Sequence, residues 1–182
     1  CKGIRKVFKE ADLIVGHNAD KFDFKKIMAR WVYHNINPLP PILSVDTLKE
    51  ARKAFKFTSN KLDYIAQYLK VGAKLETGGL FLWEQVSKGN KSALQKMAKY
   101  CEVDVVILEK IYLRLRPFMS NHPNLSTDAD RVNCPSCGSY RKDKRNRRRT
   151  KSGILKQQYK CKDCKSHYTL RAAEKTKSLT QS

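Results

Sequence analysis

Four cysteines in two Cys-x-x-Cys pairs are the residues whose spacing indicates chemistry most directly. Cys134 and Cys137 form the first pair, and Cys161 and Cys164 form the second. Two such pairs supply the four thiolates that hold a tetrahedral Zn²⁺ ion, and since thiolates then fill every coordination position, the predicted zinc is structural. A redox pair and four unligated cysteines are weaker interpretations, because neither accounts for both pairs.

Two aspartates and a tyrosine form a second candidate site. Asp23 follows a short apolar run that ends at Gly16, which places it on the first turn of a helix beyond the carboxyl end of a strand. Asp104 lies one helical turn after Tyr100, so the two side chains share a face. Two-metal phosphodiester hydrolysis uses carboxylate oxygens to hold Mg²⁺ or Mn²⁺ and needs a positioned water, which a tyrosine can orient.

Each residue around this second site also has a purely structural interpretation. Asp23 suits the positive end of a helix dipole, Asn18 suits a turn, and His17 suits a hydrogen-bonded surface position. Tyr100 and Asp104 could lie beside an apolar helix face with their polar atoms in water. Taken singly, the structural interpretations are stronger, but the combination favours a site.

Apolar spacing in the first 118 residues predicts strands that alternate with helices, the pattern of an α/β domain. Short apolar runs predict strands over residues 11–16 and 42–45, and Gly78 with Gly79 marks a turn. Helical spacing predicts helices over residues 2–10, 22–34, 48–55, 60–69 and 92–115. The first strand and the last helix must therefore bring the candidate site together.

The longest predicted helix, residues 92–115, has one apolar stripe that would face the core, and Pro117 ends it. Cys101 falls in that stripe, so we predict that it is a core residue and not a ligand. The stripe consists of Leu94, Met97, Cys101, Val105, Leu108, Ile111 or Tyr112, and Leu115.

The 182-residue chain is strongly basic, with 38 Lys+Arg against 17 Asp+Glu and a net charge of +21. This balance favours nucleic acid as the partner, because each neutralised phosphate releases condensed counterions. Residues 131–182 carry 16 of the cations and 3 of the acids. Within them, Arg147, Arg148 and Arg149 are predicted to contact phosphate from a long loop between the cysteine pairs.

Hydropathy and cysteine usage indicate the compartment. No apolar run approaches the roughly 20 residues that cross a bilayer, and no apolar signal segment precedes the cysteine pairs. We therefore expect no membrane contact and a reducing compartment.

The stretch from Gly16 to Asp23, Gly-His-Asn-Ala-Asp-Lys-Phe-Asp, and the Tyr100-x-x-x-Asp104 pattern together resemble the DEDD exonuclease superfamily, whose fold is ribonuclease H-like. The spacing is similar to that of family B DNA polymerase exonuclease domains of the tyrosine type. The resemblance implies 3′→5′ hydrolysis of nucleic acid, with DNA favoured, in the cytoplasm of a bacterial or phage-infected host cell. It also implies that Asp23 and Asp104 hold Mg²⁺ or Mn²⁺, that Tyr100 positions the water and that Asn18 supports the site or the substrate end.

The family's first motif, Asp-x-Glu, supplies two further ligands and does not occur in these residues. Since the chain also begins at Cys1 next to a predicted helix, we expect a domain truncated at its amino end and a polypeptide that is inactive alone. Asp46 and Asp63 match family positions, and we interpret them as structural. The alternative is a non-catalytic nucleic-acid-binding or replication-accessory protein.

The cysteine pairs, with Gly138 after the first and Tyr159 and Tyr168 in predicted short strands, resemble the zinc ribbons fused to phage and transposase proteins. His167 is expected at the surface and not among the ligands. A transposase-like protein rests on the ribbon alone and ranks last. We predict an α/β, ribonuclease H-like exonuclease fold followed by a small four-cysteine zinc β-ribbon, with the exonuclease domain over 1–118, a linker over 119–131, the ribbon over 132–170 and a basic tail over 171–182.

Overall fold

A computed structural model describes residues 1–73, 79–120, 122–125 and 132–171 of the chain. The chain divides into two compact units, residues 1–121 and residues 122–182. Gly78, residues 126–131 of the predicted linker and residues 172–182 of the predicted tail lie outside the described residues. Each unit is considered by itself below.

The first unit contains a parallel strand pair joined by a helix. β1 (Leu13–Gly16) pairs with β2 (Leu43–Asp46), and Gly16 lies opposite Asp46 in the register. The carboxyl ends of both strands therefore lie at the same edge of the sheet. The helices of this unit are α1 (Lys2–Glu10), α2 (Asp23–Tyr33), α3 (Thr47–Ala54), α4 (Leu62–Tyr68), α5 (Leu80–Ser87), α6 (Lys91–Leu115) and a 3₁₀ helix (Arg116–Phe118).

The core of the first unit lies where the second half of α6 packs against β1, α3 and α4. Ile65, Ile111 and Leu115 are fully buried there, with 0%, 0% and 2% of their surfaces exposed. Met119, which the sequence places in the linker, is 7% exposed and packs into the same core. This core holds the sheet and the long helix together beneath the candidate site.

The rotation of α6 differs from the predicted one. Leu94 and Val105 are 57% and 65% exposed and Cys101 is exposed, so the predicted stripe, including the core position of Cys101, is wrong at these residues. In its second half, α6 turns Ile107 and Ile111 toward β1, α3 and α4. In its first half, the partner is α5, a short helix between two glycines that hydropathy did not predict. α5 packs Leu82 against the first half of α6. The buried face of α6 instead contains Ala93, Met97, Ile107, Ile111, Tyr112 and Leu115.

The second unit is a three-stranded antiparallel sheet in the order β3–β4–β5. Its strands are β3 (Lys142–Arg149), β4 (Leu155–Cys161) and β5 (His167–Arg171). The three arginines predicted to lie in a loop are in β3, so that prediction is wrong: a run of consecutive cations has no apolar alternation from which a strand could be recognised. None of the helices in the described parts of either unit has the length and apolar character needed to cross a bilayer.

Candidate functional site

The turn after β1 is built around the carboxylate of Asp46. Asp46 is 5% exposed and accepts hydrogen bonds from the amides of Asn18 at 2.8 Å and Asp20 at 3.4 Å. It also caps α3 by accepting from the amides of Leu48 at 3.0 Å and Lys49 at 3.4 Å. These contacts connect the ends of the two strands and support the structural interpretation of Asp46.

The start of the same turn depends on a glycine and a histidine. A Cβ atom at Gly16 would lie 2.2 Å from the Cβ of Ala19, so no larger residue fits without movement. Thr47 Oγ1 donates to the Gly16 carbonyl at 2.9 Å and lies 2.9 Å from Nδ1 of His17. Nε2 of His17 lies 3.0 Å from the carbonyl oxygen of Asn60. His17 is half-buried, and its two ring nitrogens connect the turn to Thr47 and to Asn60. The sequence did not predict the contact with Thr47.

Asn18 and Asp23 stand at the two ends of the loop that connects β1 to α2. Asn18 has a φ of +67°, in the left-handed region that asparagine tolerates better than most residues. Its carbonyl accepts from the amide of Phe22 at 3.1 Å. Asp23 is the first residue of α2 and is exposed, which leaves its carboxylate accessible beyond the carboxyl end of β1. The same position also suits the helix dipole.

Tyr100 and Asp104 lie on the inward side of α6. Tyr100 is half-buried and packs against the cluster that contains Leu82 and Met97. Asp104 is half-buried and its Oδ1 atom is shielded from solvent. Ile107, one turn further on, is 3% exposed and belongs to the core. Asp104 therefore places a carboxylate at the margin of an apolar helix face.

The carboxylates do not by themselves complete a metal centre in the described residues. There, only the four cysteines form a group of three or more His, Cys, Asp or Glu side chains whose ligand atoms lie within 4.8 Å of one another. Asp23 and Asp104 belong to no such group. Since two divalent ions need more than two carboxylate ligands, Asp23 and Asp104 alone would not suffice to hold such a pair.

The cysteine cluster has the dimensions of a tetrahedral thiolate site. Sγ of Cys134 lies 3.6 Å from Sγ of Cys164, and Sγ of Cys137 lies 3.7 Å from Sγ of Cys161. A zinc ion with sulfur ligands at about 2.3 Å requires tetrahedral edges of about 3.8 Å. Gly138, with a φ of +71°, donates its amide to the Cys134 carbonyl at 2.8 Å and closes the first turn around the sulfurs. The four residues therefore fit Zn²⁺ in type and spacing.

The protonation of the thiols is uneven in the metal-free cluster. Burial raises the pKa of Cys134 and of Cys137. Burial also raises the pKa of Cys164, but the polar groups of Ser166 and the thiols of Cys137 and Cys134 outweigh it and lower the pKa to about 7. Burial and the neighbouring cysteine charges raise the pKa of Tyr168 to about 12. Ser166 is thus placed to stabilise a thiolate, and His167, as expected, is exposed and outside the cluster.

Comparison with known proteins gave one match. Residues 2–116 match the model of the family described as the RNase_H superfamily. No curated protein and no solved structure matched. The matched span contains Asn18, Asp23, Tyr100 and Asp104 and ends before the first cysteine pair. The chain therefore belongs to the RNase_H superfamily, whose fold implies a nuclease or other nucleic-acid-related activity with nucleic acid as the partner.

Proposed function

We propose that the chain acts in 3′→5′ exonucleolytic hydrolysis of nucleic acid, with DNA favoured over RNA. In this proposal Asp23 and Asp104 hold Mg²⁺ or Mn²⁺, the divalent ions that ribonuclease H-like nucleases use. Tyr100 positions the attacking water, and Asn18 supports the substrate end. Further carboxylate ligands would come from outside the described residues, so these residues alone are expected to be inactive.

The observation that supports the proposal most is the position of Asp104. Its carboxylate is half-buried at the margin of an apolar helix face, and its Oδ1 atom is shielded from solvent. Positions that break the local apolar pattern are often functional. Tyr100 lies one turn earlier on the same side of α6, so its hydroxyl and the Asp104 carboxylate belong to one face of the helix. The pair therefore combines an acceptor for a cation with a group that can hydrogen-bond water.

The roles of these side chains follow from their exposure. Bound divalent ions would polarise the phosphoryl oxygens and make the attacking water more acidic. Asp23, on the solvent side of the loop after β1, can meet an ion that arrives with the substrate. The half-buried Asp104 has less competition from water for its oxygens and so favours a cation more strongly.

The second part of the proposal concerns the second unit. Cys134, Cys137, Cys161 and Cys164 hold a structural Zn²⁺ ion, and Arg147, Arg148 and Arg149 contact phosphate. The sulfur separations of 3.6 and 3.7 Å support the first statement. The exposure of all three arginines on β3 supports the second.

The test measures release of nucleotides from DNA strands labelled at the 5′ end or at the 3′ end, using the native gene product that contains these residues, with Mg²⁺ or Mn²⁺. Asp104→Asn and Asp23→Asn should each reduce the rate by more than about 100-fold, because losing even a supporting partner of a metal ligand costs about 10- to 100-fold. Asp12→Asn removes an equal charge at an exposed position outside the proposed site and should leave the rate unchanged. Metal-independent cleavage, or cleavage unaffected by both variants, would contradict the proposal.

A second candidate is a nucleic-acid-binding protein without catalysis. The observation that favours it is that the described residues contain no cluster of three carboxylates. In that case the native gene product would bind nucleic acid, release no nucleotide with either metal, and bind equally well after Asp104→Asn. The same assay therefore separates the two candidates.

A further inference from the structure

The charges of the second unit are unevenly compensated. Its described residues contain two acids, and both are paired near the cysteines: Asp143 lies 3.1 Å from Lys162, and Asp163 lies 3.0 Å from Arg141. No third carboxylate remains among the described residues of this unit for the rest of β3 and β4. Further from the cysteines, toward the turn that joins β3 to β4, the cations are Lys144, Arg145, Arg147, Arg148, Arg149, Lys151 and Lys156. This end of the sheet therefore carries positive charge that no nearby carboxylate of the described residues compensates, and it would attract an anion.

These cations lie on both faces of the sheet. Arg147 lies opposite Gln157, and Arg148 lies opposite Lys156. Since side chains alternate along a strand, Arg147 and Arg149 share one face and Arg148 lies on the other with Lys156. β3 is also an edge strand in the sheet order, and its residues from Lys144 to Arg149 are all exposed. The exposed β3 edge thus presents positive side chains on both faces of the sheet.

The cross-strand pair of Arg148 and Lys156 indicates an anion. Like charges directly opposite each other destabilise an antiparallel sheet. A charged edge strand also prevents aggregation, but that purpose does not require a second cation on β4. A phosphate between the two side chains would remove the repulsion.

Among the described side chains of the sheet, no aromatic ring is exposed enough for a base to stack on it. Tyr159 and Tyr168 stack on each other with ring centroids 5.7 Å apart, and the ammonium group of Lys142 lies 5.4 Å from the Tyr159 centroid. Tyr140 is 76% exposed, but it precedes β3 on the side of the cysteines. Proteins that bind single strands combine cations with stacking platforms, whereas backbone readers of duplexes need cations alone.

We infer that the β3 edge lies in the major groove of double-stranded DNA and contacts phosphates of both strands without reading sequence. A major groove about 12 Å wide admits a two-stranded β-ribbon, and cations on two faces match the two backbones that border it. A β-bulge between Lys144 and Arg147 increases the local twist of the strand. The side chain of Gln157, which is 4% exposed, donates to the Arg145 carbonyl and fixes that bulge. This inference rests on the phosphate contacts proposed above and adds the form of the nucleic acid.

The test is a fluorescence anisotropy titration of the zinc-loaded full chain without Mg²⁺ or Mn²⁺, so that nuclease activity does not enter. A DNA duplex should bind more tightly than either of its single strands and more tightly than an RNA duplex of the same length, whose major groove is too narrow for side chains to enter. Replacing the three arginines (R147Q, R148Q and R149Q together) should flatten the plot of log K against log salt for the DNA duplex by up to about 2.7, since each phosphate contact contributes about 0.9.

The matched control removes three charges from α1 (K2Q, K6Q and K9Q together) and should change that slope by less than a third as much. Zinc content at one ion per chain shows that the arginine variant is still folded. Lys156→Gln is the second variant, and it should weaken duplex binding while leaving single-strand binding nearly unchanged. Equal or tighter binding of single strands, equal binding of the RNA duplex, or equal effects of the arginine variant and its control would each overturn the inference. None of these results depends on whether the first unit is a nuclease.

Discussion

The carboxylate of Asp46 accepts a 2.8 Å hydrogen bond from the amide of Asn18 and thereby connects the ends of the two parallel strands. The same carboxylate accepts hydrogen bonds from the amides of Leu48 and Lys49 in the first turn of α3. Asn18, held at a φ of +67°, depends on this contact to keep the turn in its left-handed conformation. One buried acid thus fixes the loop from which Asp23 emerges.

Asp46→Ala should destabilise the first unit by at least about 2 kcal/mol, because a helix cap and a charged hydrogen bond are lost together. Asp46→Asn keeps one acceptor oxygen and should cost less. Urea unfolding followed by tryptophan fluorescence measures this, since both tryptophans, Trp31 and Trp83, belong to the first unit. Equal losses for the two variants would show that the retained oxygen does not matter and would contradict the capping role.

Gly16→Ala should destabilise the first unit by about 1 to 3 kcal/mol, the usual cost of forcing an extra methyl group into a filled space. The new Cβ would meet the Cβ of Ala19 at 2.2 Å. Gly3→Ala is the matched control, because nothing lies within 4 Å of a Cβ at this position in α1. It should be neutral or stabilise the helix by up to about 1 kcal/mol. The same fluorescence measurement applies, and similar effects at both positions would mean that the turn has room to relax.

The sequence predicted most of the helices and strands but missed α5 and β3, and it did not predict how α6 packs. The α/β class followed from a strand-ending glycine and helical periodicity, the ribonuclease H-like fold from the resemblance of two motifs, and the four-cysteine β region from the paired cysteines. All three predictions were confirmed. The predicted rotation of α6 was wrong, because apolar residues such as Leu94 and Val105 form a second stripe as apolar as the buried one. Long-range packing selects between the two: α5 packs Leu82 against the first half of α6, and β1, α3 and α4 pack against its second half.

The candidate site, too, could be predicted from the sequence only in part. Asp23 and the Tyr100 to Asp104 spacing were recognisable because they lie within short motifs. The bracing of His17 by Thr47 joins residues 30 positions apart and has no sequence signature. The strand β3 was mistaken for a loop because its residues from Lys142 to Arg149 are polar on both faces. Hydrophobic periodicity therefore predicts neither contacts between distant residues nor a strand whose two faces are both polar.

Cys134→Ser should abolish tight zinc binding and the β structure of the second unit, because structural zinc sites hold small domains together. Cys101→Ser, at an exposed cysteine outside the cluster, is the matched control and should bind zinc normally. Zinc content and far-ultraviolet circular dichroism with and without a chelator measure both effects. Zinc bound equally by the two variants would contradict the four-thiolate site.

Zinc affinity should rise with pH. Burial raises the pKa of Cys134 and Cys137, so these thiols keep their protons in the metal-free protein and must release them when zinc binds. Each proton released makes the apparent affinity about tenfold higher per pH unit. Competition with a chromogenic chelator from about pH 6 to about pH 8 measures the slope, with the chelator's own protonation corrected. A flat profile would mean that the thiols are already ionised before the metal arrives.

Tyr100→Phe should reduce kcat by about 10²- to 10⁴-fold and leave KM nearly unchanged, if its hydroxyl positions the attacking water in the native gene product. Tyr68→Phe, which removes a hydroxyl from a side chain 63% exposed on α4, is the control and should not change either constant. If Tyr100, packed against Leu82 and Met97, is purely structural, Tyr100→Phe should lower stability and leave kcat nearly unchanged.

The double variant of Tyr100→Phe with Asp104→Asn tests whether the two side chains act together. Residues that act as one unit have non-additive effects, so the double variant should be scarcely slower than Asp104→Asn alone. Fully additive losses would mean that the hydroxyl and the carboxylate act in separate steps.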